Sequence, residues 1–138
     1  MTEAQWRQLG AAARAASGHA YCPYSGFAVG AAVLTADGSV VSGCNVENAS
    51  FGLTVCAERN AVFRAVSEGA RTIAAVLIYT PTPEPVTPCG ACRQVIAEFG
   101  PDARVRSLCA GPGVLDFTIG ELLPHGFAFH ASGSGPGT

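Results

Sequence analysis

The sequence predicts an α/β fold in which helices cover the faces of a mixed β-sheet. Two observations lead to this prediction. Segments with apolar residues at helical spacing alternate along the chain with short apolar and β-branched runs. An Asp-Gly turn signal at 37–38 also joins the first two strands as a hairpin. A hairpin followed by alternating helices and strands forms a mixed sheet with helices on its faces.

The elements can be placed in order along the 138 residues. Thr2 and Gln5 form a capping box that begins a helix ending near residue 16. Apolar periodicity, together with Gly and Pro signals at the ends, predicts strands over 27–35, 40–45, 72–80, 105–108 and 115–119, and helices over 56–68, 90–99 and 121–123. Residues 131–138 are rich in Gly and Ser and are predicted to be a flexible tail behind a single domain over 1–130.

Composition and charge exclude several classes of partner. Only 13% of residues are charged, against about 25% in typical domains, so we expect copies of the chain to cover part of its surface in a homo-oligomer. The net charge is −2 and the arginines are scattered, which argues against nucleic-acid binding. No apolar run approaches the roughly 18 residues of a membrane span, and no signal peptide is evident.

The cysteines predict a reduced protein with one thiol cluster. Six cysteines would suit disulfides in a secreted protein, but the lack of a signal peptide favours the cytoplasm, where thiols stay reduced. The three isolated ones, Cys22, Cys44 and Cys109, are expected to be small core residues.

The other three thiols, together with an acid, indicate a zinc centre. Cys56 precedes Glu58 at the start of a predicted helix, and Cys89 and Cys92 form a Cys-x-x-Cys pair. Three protein ligands leave a fourth position open for water, whose proton Glu58 is placed to move. Arg59 lies one helical turn from Cys56 and would balance the thiolate charge. The spacing leaves open a structural zinc site or a thioredoxin-like redox pair.

Two loops could form a pocket around this centre. The loop at 21–27 carries three aromatic residues, which would either line a pocket or pin the loop by packing. Asn45 and Glu47 follow a strand and share one side of an extended chain, an arrangement that suits binding of a sugar hydroxyl. An Asx-type turn before the next helix is the alternative.

These motifs resemble a known family. Cys-Ala-Glu at 56–58 with Pro-Cys-Gly-Ala-Cys at 88–92 is similar to the zinc deaminase signature. Pro-Tyr-Ser-Gly-Phe at 23–27, Asn-Val-Glu-Asn at 45–48 and Glu-Leu-Leu-Pro at 121–124 narrow the resemblance to the small homotetrameric cytidine deaminases. This resemblance implies a three-layer α/β/α fold with a mixed five-stranded sheet.

The resemblance also implies a reaction. Ammonia would be removed hydrolytically from C4 of cytidine or 2′-deoxycytidine, as in pyrimidine salvage. One zinc ion per chain, held by Cys56, Cys89 and Cys92, would activate water. Glu58 would transfer the protons, and the backbone N–H of Ala57 would hold the carbonyl of the base.

The remaining substrate contacts follow from the same resemblance. Asn45 and Glu47 would bind the ribose 3′-hydroxyl, and Phe27 would stack on the base. Phe127 would reach into the pocket of a neighbouring subunit of a homotetramer. Phe51 stands where relatives often carry Tyr, which puts in doubt a contact with the 5′-hydroxyl.

Three alternative functions remain open from the sequence. A non-catalytic zinc or binding module would not require Glu58. A deaminase of another cytosine-containing compound, such as a blasticidin-type antibiotic, would share the cysteine motifs. A polynucleotide-editing deaminase would need a basic track along its surface.

Overall fold

The computed structural model describes residues 1–129 and has nine regular elements in that range. They are α1 (Glu3–Ser17), β1 (Gly30–Thr35), β2 (Val40–Cys44), α2 (Ala57–Ser67), β3 (Ile73–Thr80), α3 (Gly90–Phe99), β4 (Arg104–Cys109), β5 (Val114–Thr118) and α4 (Ile119–Leu122). A single 3-10 turn, Phe51–Leu53, lies between β2 and α2. The predicted tail at 131–138 falls outside the described residues, so the division into a domain over 1–130 and a tail stays a prediction.

The five strands form one mixed sheet with the order β2-β1-β3-β4-β5. β1 is antiparallel to both β2 and β3, and β5 is antiparallel to β4. β3 and β4 are parallel and are connected through α3, because parallel neighbours require a crossover connection. The predicted mixed five-stranded α/β sheet is therefore confirmed.

Two apolar cores lie on opposite faces of this sheet, which gives three layers. On one face Trp6, Leu9 and Ala13 of α1 pack against alternate residues of β1 and β3. On the other face α2 and α3 pack against the intervening residues, such as Val33 and Val76. Because side chains alternate across a strand, β1 is buried on both faces over its whole length.

Some boundaries differ from the prediction for a physical reason. The predicted strand at 27–35 begins only at Gly30, because the side chain of Asn45 bonds to the backbone of Phe27 and Val29. The last strand ends at Thr118, which instead caps α4. Cys109 is buried as predicted, whereas the prediction of core positions for the two other isolated cysteines is wrong, since both are only half-buried.

Gly43 allows α2 to pack at a short distance from the sheet. A Cβ atom at this position would lie 2.5 Å from the Ala61 nitrogen and 3.0 Å from the Ala57 carbonyl oxygen. Only glycine therefore allows α2 to pack this closely on β2. The same helix carries Cys56 at its N-terminus.

Within residues 1–129, no helix combines the length and apolar character needed to cross a membrane.

Replacing Gly43 by alanine should lower the free energy of unfolding by about 3 kcal/mol, because the added methyl group collides with helix backbone that cannot move alone. Urea unfolding followed by circular dichroism at a fixed protein concentration measures this change. Gly120→Ala is the matched control, since the nearest atom to its added methyl group is 3.9 Å away. Equal stability of the two variants would contradict the close packing of α2.

Candidate metal centre

The N-termini of two neighbouring helices carry the three clustered thiols. Cys56 is the N-cap residue of α2, and Cys89 is the N-cap residue of α3. Neither N-cap side chain makes a capping hydrogen bond with the backbone N–H groups of its own helix. Cys92 lies one turn inside α3 and is buried. The free N–H groups and the positive ends of both helix dipoles favour anionic sulfur at this place.

The spacing of the sulfur atoms fits a tetrahedral zinc ion. The Sγ atoms of Cys56, Cys89 and Cys92 all lie within 4.8 Å of one another, and those of Cys56 and Cys89 are 3.8 Å apart. Thiolates about 2.3 Å from a tetrahedral zinc ion would be separated by about 3.8 Å. Three soft sulfur donors also suit zinc better than Mg²⁺ or Ca²⁺. In the part of the chain that the structure describes, no other group of three potential ligands comes together in this way.

Arg59 supplies positive charge beside the sulfurs. Its Nη2 atom donates to Cys56 Sγ at 3.6 Å. A hydrogen bond with Cys92, followed by the one from Arg59, lowers the pKa of the Cys56 thiol to about 5. The same bond with Cys56, together with burial, raises the pKa of Cys92. Cys56 therefore ionises before Cys92. The Nε–H of Arg59 is buried and has no partner within residues 1–129, a donor that suits an anionic centre.

Glu58 is the buried acid of the site. Its residue is only 5% exposed, and it lies in the first turn of α2, beside Cys92. Burial, with a smaller contribution from the charge of Cys56, raises the pKa of Glu58 to about 7. A carboxyl group with a pKa near neutrality can both accept and release protons under physiological conditions.

Ala57 and the chain around Val46 complete the surroundings of the centre. Ala57 is fully buried and is the first residue of α2, where the backbone N–H has no acceptor within the helix. Val46 pairs with Val55 in an isolated antiparallel bridge. This bridge places residues 45–47 beside the segment that enters α2, so the predicted sugar-binding residues lie next to the predicted metal ligands.

Glu47 is engaged with the aromatic loop. Its Oε1 atom accepts hydrogen bonds from the backbone N–H groups of Tyr24, at 2.9 Å, and of Ser25, at 3.1 Å. Its Oε2 atom accepts one from the Ser25 hydroxyl. The hydrogen bond from the Ser25 hydroxyl is the main reason that the pKa of Glu47 is lowered. This carboxylate is therefore ionised at neutral pH.

Asn45 is buried and holds the chain that carries Phe27. Its Oδ1 atom accepts from the N–H of Val29 at 2.9 Å, and its Nδ2 atom donates to the carbonyl of Phe27 at 2.8 Å. One Nδ2 hydrogen is left for another acceptor. The Phe27 side chain is partly open to solvent. Asn45 and Phe27 thus lie together, and most of the Asn45 amide serves the backbone.

Phe127 lies on the outer side of α3. Gln94 holds its backbone with two hydrogen bonds, from Nε2 to the Phe127 carbonyl at 2.8 Å and from the Phe127 N–H to Oε1 at 3.2 Å. Phe127 is 75% exposed. Sequence reasoning missed this use of Gln94, because its partner Phe127 lies 33 residues further along the chain.

Arg93 holds three segments together, a structural role that sequence reasoning also missed. Its Nε atom donates to the Pro88 carbonyl at 2.7 Å, and Nη2 donates to Thr87 Oγ1 at 3.0 Å. Its Nη1 atom donates to the Leu122 carbonyl at 2.9 Å. Arg93 therefore holds the turn before Cys89 against α4.

Comparison with known proteins places this site in a family. Residues 4–108 match the family model described as the cytidine and deoxycytidylate deaminase zinc-binding region. A cytidine deaminase from Halalkalibacterium halodurans is 53% identical over 109 residues, which are 78% of this chain and 83% of that protein. One from Sporosarcina psychrophila is 46% identical over 88% of this chain and 90% of its own.

Solved structures show the same fold. The crystal structure of cytidine deaminase from Burkholderia pseudomallei superposes with a TM-score of 0.84 at 48% identity, and the match covers 92% of this chain and 100% of that chain. A more distant relative, blasticidin-S deaminase from Bacillus cereus, is 34% identical over 70% of this chain and 74% of its own.

We expect purified protein to retain one zinc ion per chain after dialysis, as measured by inductively coupled plasma mass spectrometry. Cys56→Ala should lose most of this zinc, because two thiolates and water hold the ion more weakly than three thiolates. Cys22→Ala is the matched control, since Cys22 is a half-buried thiol outside the cluster. Two ions per chain, or full retention by Cys56→Ala, would contradict the three-cysteine centre.

Proposed function

The chain belongs to the family of cytidine and deoxycytidylate deaminases, and on this premise we propose that it hydrolyses cytidine and 2′-deoxycytidine at C4 to give uridine or 2′-deoxyuridine and ammonia. The family resemblance seen in the sequence is confirmed, and it makes the chain an enzyme that hydrolyses a C–N bond. One structural observation carries the assignment to this site: a buried carboxyl group, Glu58, lies beside three clustered thiols at the meeting point of two helix N-termini.

Cys56, Cys89 and Cys92 would hold the zinc ion. When bound there, zinc supplies Lewis acidity, which lowers the pKa of a coordinated water molecule. Arg59 and the two helix N-termini offset the negative charge of three thiolates, which would otherwise work against ionisation of that water. A structural zinc site is usually closed by four protein ligands, so three thiols with a buried acid favour the catalytic alternative.

Glu58 would carry the protons of the reaction. It takes one proton from the attacking water and delivers it to N3 of the base, while the oxygen bonds to C4. The proton that remains on this oxygen then passes through Glu58 to the exocyclic amine. The C4–N bond breaks, ammonia leaves, and C4 keeps the oxygen as a carbonyl. A pKa of about 7 suits a group that must accept and donate in turn.

The rest of the pocket would hold the nucleoside. The Ala57 N–H, free at the start of α2, would donate to the carbonyl of the base, and Phe27 would stack on its ring. Glu47 accepts three hydrogen bonds, and a carboxylate has about four acceptor positions, so it can also accept a sugar hydroxyl. Asn45 would contribute its remaining Nδ2 hydrogen to the same 3′-hydroxyl.

Exposed aromatic residues support the proposal of a homotetramer. Phe51, Phe127 and Phe129 are 74%, 75% and 79% exposed, so contacts between subunits would bury apolar surface that a single chain leaves in water. We place Phe127 in the pocket of a neighbouring subunit. Phe51 can pack there but lacks the phenol hydroxyl that would contact a 5′-hydroxyl.

We also propose a cytoplasmic role in pyrimidine salvage. Six free thiols, three of them needed as thiolates, require a reducing compartment. The relatives at 53% and 46% identity are cytidine deaminases, which favours the nucleoside over a blasticidin-type antibiotic as substrate. A panel of nucleosides, nucleotides, free cytosine and blasticidin S separates these substrates.

Replacing Glu58 by glutamine should lower kcat for cytidine by about three orders of magnitude or more, because the amide cannot transfer protons. The loss of cytidine, followed by ultraviolet absorbance, measures the rate. Zinc content and the thermal unfolding midpoint should stay close to those of the wild type.

Glu68→Gln is the matched control, because Glu68 is an exposed carboxylate at the far end of α2, and it should keep full activity. A zinc-loaded Glu58→Gln variant as active as this control would remove Glu58 from the mechanism. A zinc-loaded wild type that leaves cytidine unchanged would overturn the proposed function itself.

Light scattering should give a mass four times the 14.0 kDa of one chain. Phe127→Ala should raise KM, because the pocket of each neighbour loses an aromatic wall. Tetramers can also be assembled from a mixture of Glu58→Gln and Phe127→Ala chains. Some of their pockets should have a low KM, because a Phe127→Ala chain supplies Glu58 and a neighbouring Glu58→Gln chain supplies Phe127. A fully active monomer would contradict the shared pocket.

A further inference from the structure

The hydroxyl of Ser25 joins two residues to which the proposed function gives separate tasks. It donates to Oε2 of Glu47, the proposed sugar-binding carboxylate. It also accepts a hydrogen bond from the backbone N–H of Phe27, the proposed base-stacking residue, at 3.0 Å. Neither bond follows from periodicity, and Ser25 itself has no place in the mechanism described above.

The directions of these two bonds are fixed by their partners. An ionised carboxylate can only accept, so the single hydroxyl hydrogen must point to Glu47. The lone pairs of the hydroxyl oxygen are then left for the N–H of Phe27. The two bonds therefore reinforce each other, because each polarises the hydroxyl in the sense that the other needs.

The turn around Ser25 is built to hold this arrangement. Gly26 has a φ of +68°, a conformation that suits glycine, and its N–H donates to the Cys22 carbonyl at 2.9 Å. On the far side of Phe27, its carbonyl accepts from Asn45. Side chains thus hold both backbone polar groups of Phe27, and both of these side chains lie next to the proposed sugar site.

We propose that Ser25 is a positioning residue for nucleoside binding, which couples the sugar-binding carboxylate of Glu47 to the base-stacking ring of Phe27. This inference rests on the proposed function. A sugar hydroxyl bound by Glu47 orients the carboxylate, and the Ser25 hydroxyl transmits that orientation to the backbone of Phe27. Ser25 needs no contact with the reacting atoms, so its loss should affect binding rather than proton transfer.

The first test compares Ser25→Ala with Ser25→Thr in steady-state deamination of cytidine. Ser25→Ala should raise KM about tenfold, the factor expected for one lost hydrogen bond to a charged group, while kcat stays within about twofold. Ser25→Thr keeps the hydroxyl, and the exposed position leaves room for its methyl group, so KM should return close to the wild-type value.

Ser17→Ala is the matched control. The Ser17 hydroxyl also makes one side-chain hydrogen bond, to the Arg14 carbonyl at 2.7 Å, but it lies at the end of α1, on the opposite face of the sheet from α2 and α3. The KM of Ser17→Ala for cytidine should equal that of the wild type. A wild-type KM in Ser25→Ala, or an equal loss in Ser25→Thr, would overturn the role of Ser25.

A double-mutant cycle with Glu47→Gln tests whether Ser25 acts through the carboxylate. In a Glu47→Gln background, Ser25→Ala should raise KM by much less than tenfold, since the partner that it orients is already altered. Strictly multiplicative effects on KM would show that the two residues act independently and would refute the coupling.

Amide hydrogen exchange gives a readout that requires no substrate. The Phe27 N–H should exchange about tenfold faster in Ser25→Ala than in the wild type and should be protected again in Ser25→Thr. Unchanged exchange would overturn the positioning role even if the enzyme deaminates cytidine. An inactive wild type would instead overturn the proposed function, and an active wild type with unchanged KM in Ser25→Ala would overturn only this inference.

Discussion

The site depends on one electrostatic constraint: three sulfur atoms must lie within 4.8 Å of one another although their ionised forms repel. Two helix N-termini meet this constraint, because their free N–H groups and dipoles point toward the sulfurs. Arg59 adds a full positive charge at 3.6 Å from Cys56. The thiol cluster forms only if the N-termini of α2 and α3 lie close together. The sheet order and the close packing of α2 at Gly43 provide this arrangement.

Hydrogen bonds from side chains to backbone then hold the segments around this centre. Asn60 Nδ2 donates to the carbonyl of Cys44 at 2.8 Å and thereby fixes the start of α2 to the end of β2. Arg93 holds the turn before Cys89 against α4, and Gln94 extends the same connection to Phe127. Loops have few ladder bonds of their own, so these hydrogen bonds hold the segments around the thiol cluster in fixed positions.

Local patterns predicted much of this architecture. The capping box of Thr2, the glycine ends of helices and the apolar runs placed every major element, and cysteine spacing picked out the three thiols that cluster. Patterns of this kind report on neighbours in the chain. The bond between Ser25 and Glu47 spans 22 positions, and the one between Gln94 and Phe127 spans 33. Such pairs are set by how the sheet is assembled, so no periodicity could reveal them, and the same is true of the backbone bonds of Asn45.

Glu58 occupies a position where its burial lowers the stability of the fold. Burial of a carboxyl group costs free energy unless it is fully paired, and the rise of its pKa to about 7 is the sign of that cost. An apolar residue would pack at this position of α2 without such a penalty. The fold keeps the acid where desolvation brings its pKa close to neutrality, and it keeps Arg59 Nε buried without a partner in the described chain. Two unfavourable groups one residue apart, in a helix that is otherwise well packed, mark the place where function rather than stability determines the sequence.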